Sequence, residues 1–157
     1  MVYRNKTYVA FDGDNDIKYC YLMKAWKQSG NSSFNFYDAH DINTAYDTSL
    51  ETTIKRRLGE RMANSKVFVL LIGERTKYLK KFVKWEIEQA LKMDLPIICV
   101  NLNGHFQKDD LCPSILKNEL AIFIPFKQAA LSKALENWPN YHRQYKKKGK
   151  TGSYYYE

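Results

Sequence analysis

The sequence predicts an α/β fold: one doubly wound domain built on a five-stranded parallel sheet with helices on both faces. Short apolar runs alternate with longer amphipathic stretches over most of the chain. The third run, residues 67–72, is apolar without a break, as a strand covered on both faces must be. Size agrees, because 157 residues with 45% hydrophobic content make one core and leave little room for a second domain.

Each element has its own signal. Residues 8–11 form the first strand, and the loop formers Asp12-Gly13-Asp14-Asn15-Asp16 follow and can cap a helix over 17–28 that stops near Gly30. The second strand is 34–37, with a polar loop over 38–47. Thr48 and Glu51 have the S/T-x-x-E spacing in which each side chain satisfies the other's free amide at a helix start. Leu50, Ile54, Leu58 and Met62 then recur every four residues, turning one stripe to the core while Lys55, Arg56 and Arg61 stay in water.

Gly73 ends the third strand. A helix with apolar Leu79, Val83, Ile87, Ala90 and Leu91 follows, and Pro96 forces its stop. Residues 97–100 are the fourth strand, 101–114 an irregular segment with room for a short helix, and 121–124 the fifth strand. A last amphipathic helix carries Ala130, Leu131, Ala134, Leu135 and Trp138. The domain is read as 1–140, and 141–157 as a basic, Tyr- and Lys-rich C-terminal tail.

Composition narrows the function. No apolar run reaches the roughly 18 residues of a membrane span, and 1–6 lack the apolar core of a secretory signal. The chain is therefore expected to be soluble and cytoplasmic. Cys20, Cys99 and Cys112 lack metal-ligand spacing and read as reduced thiols. The formal charge is +8, and half of it falls in 141–157, where five Lys and Arg stand against Glu157. That tail interleaves Tyr141, Tyr145 and Tyr154 to Tyr156 with cations and can stack on bases, although a solvated or partner-docked tail needs no nucleic acid.

No glycine pattern cradles phosphate in the P-loop or dinucleotide manner. His40, His105 and His142 are too dispersed for a metal site or triad, so no metal and no cofactor is expected. A receiver domain needs a phosphoacceptor Asp where this chain has Ile72-Gly73. A calcium loop opening at Asp12-x-Asp14-x-Asp16 lacks its glycine and its closing glutamate.

Glu86 stands out by position. At about 100° per residue it points roughly 20° from the direction of Leu79, at the border of the buried arc. A carboxylate there is an ion-pair partner for Lys80, Lys81 or Lys84, or a site residue. Trp85, about 100° further round, is a candidate anchor for assembly into a homo-oligomer or simply half-buried.

Phe36-Tyr37-Asp38-Ala39, the segment 67–73 with its VLLIG ending, and Phe82-Val-Lys-Trp-Glu86-Ile together resemble the TIR-like domains of the Thoeris antiphage system. The similarity covers about 8–101. Phe82-x-x-x-Glu86 lies where TIR domains carry W-x-x-x-E, with phenylalanine keeping a flat ring and losing the indole donor. The resemblance implies a flavodoxin-like, TIR-like domain that takes NAD as substrate, cleaves its nicotinamide–ribose bond with Glu86 and makes a nucleotide messenger. It further implies activation on phage infection, a phage protein being a candidate trigger, and action of the product on a separate ThsA-like effector.

Parallel sheets collect ligands beyond the carboxyl ends of their strands. That rule makes Phe11, Asp12, Asp38 and Phe82 the candidate substrate-binding residues, the rings packing on the nucleotide and the carboxylates orienting hydroxyls. Core packing for the aromatics and turn or cap chemistry for the aspartates account for them equally well. The alternative to an enzyme is a non-catalytic TIR-like interaction, scaffold or sensor module.

Overall fold

In the computed structural model, residues 7–28, 36–38 and 51–156 are described, those at 27–28 and 36–38 by backbone alone. The expected third strand is β3 (Val67–Ile72), and all six of its residues are buried. Around it lie β1 (Thr7–Ala10), β2 (Phe36–Asp38), β4 (Ile97–Asn101), β5 (Ala121–Pro125) and a further strand, β6 (Ser153–Tyr155). Their order is β2-β1-β3-β4-β5-β6 and every pairing is parallel. The expected five-stranded parallel sheet is present, with β6 added at its edge.

Among the described residues the helices are α1 (Ile17–Gln28), α2 (Glu51–Ala63), α3 (Val83–Lys92) and α4 (Gln128–Lys147). Alternation along the strands sends successive side chains to opposite faces and so makes two cores. Tyr8, Ala10 and Phe68 meet Leu58 of α2 and Ile87 of α3 on one side. Val9, Val69 and Ile122 meet Met23 of α1 and Leu135 and Trp138 of α4 on the other. The chain runs outward from β1 to β2 and then returns to the other flank of β1 as β3. The topological switch point therefore lies at the carboxyl ends of β1 and β3.

Boundaries shift where local chemistry competes with periodicity. The capping pair expected at the start of α2 involves Thr48, which lies outside the described residues, as does Leu50; Ile54, Leu58 and Met62 are buried as the stripe requires. Leu79 precedes α3 rather than lying on it: its carbonyl accepts from the Lys84 amide, after a 3₁₀ turn over Thr76–Tyr78. A second such turn, Ser114–Leu116, is the short helix expected within the irregular segment.

Where the sequence reading separates a tail at 141, the fold continues. Helix α4 runs through Pro139 to Lys147, and His142 is buried on the same helix that buries Trp138. Gly149 and Gly152 then turn the chain with φ of 71° and 95°, values a side chain would disfavour. β6 returns along β5 with Ala121 opposite Ser153. Tyr154 packs on Trp138 at 5.7 Å and stacks on Tyr145 at 4.8 Å, so part of the tyrosine cluster closes the second core.

Candidate functional site

Glu86 lies in the first turn of α3, and its side chain is 2% exposed. It turns inward because α3 lays Val83, Ile87 and Ala90 on the sheet and Glu86 falls within the same buried face. Its partner is Tyr8 of β1, whose hydroxyl donates to Glu86 Oε2. Tyr8 is itself fully buried and stacks on Phe68 with ring centres 5.7 Å apart, so the donor is held by packing on a rigid strand.

Electrostatics follow from burial. Loss of water raises the Glu86 carboxyl to about 8, against the opposing effect of the Tyr8 hydrogen bond. The same burial, then the carboxylate beside it, pushes the Tyr8 phenol well above its ordinary range. Among the described residues no lysine forms an ion pair with Glu86. Lys81 reaches Glu51 at 3.9 Å and lies over the Phe82 ring, while Lys55 reaches Glu51 at 3.1 Å and lies over Trp85. Burial thus favours the neutral carboxylic acid beside a neutral phenol.

Phe82 is the N-cap of α3 and packs half-buried against the same core as Tyr8. It is the candidate residue that the fold brings to the helix end bearing Glu86. Phe11 goes elsewhere: it is 7% exposed and joins the α1/α4 core, across the sheet from Glu86. Asp12 spends its carboxylate on its own loop. Oδ1 accepts the amides of Asp14 and Asn15 at 3.1 and 3.3 Å, and Oδ2 accepts the Asn15 side chain at 2.7 Å. This is the turn chemistry that the sequence allowed as the other reading of Asp12. Asp38 ends β2 opposite Val9, and its side chain lies outside the described residues. Trp85 is half-buried against the α2/α3 core, its ring beside Gly59 where an added Cβ would sit 3.8 Å away.

A polar cleft of about 400 Å³ opens at the carboxyl ends of β1, β3 and β4, with Asp16 and Tyr19 on one wall and Gly73, Arg75 and Asn103 on another. Glu86 does not line it. Asp16 is 7% exposed, and burial together with the charge of Asp12 raises its carboxyl to about 6. It is packed against Gly73 so closely that a Cβ there would fall 2.2 Å from Asp16 Oδ2. In the sequence Gly73 reads as a strand stop and Asp16 as a loop former; their contact spans most of the distance from β1 to β3 along the chain and leaves no local pattern.

A parallel doubly wound sheet, with an aromatic-x-x-x-Glu segment opening the helix after its buried central strand, defines the class as TIR-like. Residues 8–107 match the family model described as Thoeris protein ThsB, TIR-like domain, and the chain belongs to that family. The match assigns it to TIR-type defence, and it runs from Tyr8 in β1 past β4 and takes in all five candidate site residues. Among the described residues no helix is long and apolar enough to cross a membrane.

Proposed function

We propose that this domain cleaves NAD at the nicotinamide–ribose bond, with Glu86 as the catalytic carboxylate, and releases a nucleotide messenger for a separate ThsA-like effector. The observation that carries the proposal is a wholly buried carboxyl held by the hydroxyl of a buried phenol, Tyr8. Such a group costs stability, and a cost of this kind is expected where a perturbed carboxyl has work to do.

Nicotinamide in NAD already bears its positive charge, so its departure needs no general acid. What it leaves behind is an oxocarbenium-like ribosyl group. Until a nucleophile, water or a hydroxyl or ring nitrogen of a nucleotide, bonds to its C1′ and gives up any displaced proton to solvent, that group requires negative charge close by. Glu86 supplies that charge only when ionised. Entry of the cationic pyridinium ribose lowers the carboxyl pKa through attraction, and Tyr8 steadies the anion by continuing to donate. Phe82, at the same helix end, packs on a ring of the nucleotide. Asp38, at the carboxyl end of β2, orients ribose hydroxyls. Asp12 holds the β1–α1 loop in shape, and Phe11 supports that loop from the opposite core; both act by positioning.

One observation favours a second reading. The resting Glu86 is closed from solvent and burial favours its neutral form, as suits an interaction or sensor module that never turns over substrate. Nicotinamide release, measured with NAD in extracts of phage-infected and uninfected cells expressing either wild type or Glu86→Gln, separates the two. The enzyme reading expects release only from infected wild-type cells. Equal release by both proteins in infected extracts removes Glu86 from the chemistry.

A further inference from the structure

Away from Glu86, at the carboxyl end of β5, an apolar cavity of about 210 Å³ lies between the start of α4 and the residue that follows β6. Its walls include Phe106, Pro125, Ala129 and Tyr156, and its charged lining residues are Lys127 and Lys133. Lys127 Nζ lies 5.5 Å from the Phe106 ring centre, and Lys133 Nζ lies 4.2 Å from that of Tyr156. Two aromatic rings are thus presented together with two ammonium groups, and no carboxylate lines the cavity.

The start of α4 adds a third attraction. Lys127 is its N-cap with no side-chain cap, and the first intrahelical bond runs from the Leu131 amide to the Lys127 carbonyl. The amides of the first turn, including that of Ala129 in the cavity wall, are left for an anion, in a helix of 20 residues whose dipole favours one. Gln128 Nε2 and Tyr156 Oη are buried without a hydrogen-bond partner in the same region. An open depression sharing Ala129 and Lys133 continues along α4 past Ser132 to Glu136, whose carboxylate lies away from the cavity lining. Rings for a planar group, with cations and free amides for an anion, are the complement of a nucleoside phosphate.

We propose that this cavity binds a nucleoside monophosphate, base against Phe106 and Tyr156 and phosphate on Lys127, Lys133 and the α4 amides, as a site separate from the one containing Glu86. Calorimetric titration of the full chain with AMP, adenosine and inorganic phosphate tests it, with circular dichroism confirming that each variant is folded. Phe106 and Lys133 are exposed, so their replacement leaves the core intact. AMP is expected to bind wild type and Glu86→Gln alike, more tightly than adenosine or phosphate, and about fivefold or more weakly to folded Phe106→Ala and Lys133→Ala. No AMP binding at millimolar concentration, phosphate binding as tight as AMP, or unchanged affinity in both cavity variants overturns the proposal. Loss of AMP binding in Glu86→Gln overturns it too, by placing the nucleotide at the other site.

Discussion

Glu86 and Tyr8 are a pair whose pH behaviour has a definite sign. The carboxyl is raised to about 8 in the fold and lies near its ordinary value of 4.5 when unfolded. Its neutral burial therefore contributes fully below the unfolded value, and the contribution is lost as pH rises from there through about 8. Each pKa unit corresponds to about 1.4 kcal/mol, so the loss amounts to several kcal/mol in order of magnitude. Urea melts of wild type and Glu86→Gln between pH 5 and 9 are expected to show wild type losing ground steadily up to about pH 8 and levelling above it. A constant difference across that range would show that the buried acid does not titrate.

Tyr8→Phe acts on the same group in two ways. Removing the phenol leaves a buried carboxyl unsatisfied, at a cost of about 1–3 kcal/mol. Because the Tyr8 hydrogen bond favours the charged form, its loss pushes Glu86 still higher. If Glu86 acts as an anion, the alkaline rise of nicotinamide release in Tyr8→Phe moves to higher pH than in wild type; a profile that stays put would separate Tyr8 from Glu86.

Between elements, the contact that defines the switch-point cleft is Asp16 against Gly73. A methyl group at 73 would lie 2.2 Å from one Asp16 oxygen and 2.7 Å from the other, so Gly73→Ala must drive a buried carboxylate from its place. Overpacking of this kind costs about 1–3 kcal/mol, or several degrees in melting temperature for a domain of this size. Adding Asp16→Ala should restore much of the loss, and a double variant no more stable than Gly73→Ala would point to another neighbour.

Element by element, the legible parts were those whose signal is local. Continuous apolar character marked β3, since a strand buried on both faces has no polar side. Four-residue recurrence marked α2, and Asp12 to Asp16 together with Gly30 bracketed α1. The basic, Tyr-rich composition after 140 hid the second half of α4, which runs through Pro139 and carries its buried face onward to His142. The site was half legible. Aromatic-x-x-x-Glu singled out Glu86 and Phe82, but Tyr8 sits in an apolar strand run and reads as core, and only the pairing of β1 with β3 beside α3 brings its hydroxyl to the carboxyl.

The molecule as a whole depends on its C-terminus more than composition suggests. Lys146 to Lys148 and Lys150 dominate a local reading of 141–157, whereas the three tyrosines from 154 alternate in and out of a sheet edge. β6 covers the flank of β5, and Tyr154 joins Tyr145 over Trp138, which is 2% exposed. A chain ending at Lys147 would open that edge and uncover an indole and a tyrosine. Burying aromatic side chains contributes about 1.5–3 kcal/mol each, so a loss of roughly 3 kcal/mol or more is expected, read as a lower denaturation midpoint. An unchanged midpoint would make β6 dispensable. Truncation should also remove AMP binding, since Tyr156 is part of the cavity wall.

The central claim, that a buried acid at position 86 becomes the anion that cleaves NAD, is tested most directly by the pH dependence of nicotinamide release by the activated protein. Measured at NAD well below its KM, where the carboxyl near 8 of the free protein governs, release by wild type should climb about tenfold from pH 7 towards a plateau above pH 8, and Glu86→Gln should stay near background throughout. Release by Glu86→Gln that matches wild type at each pH would contradict the account.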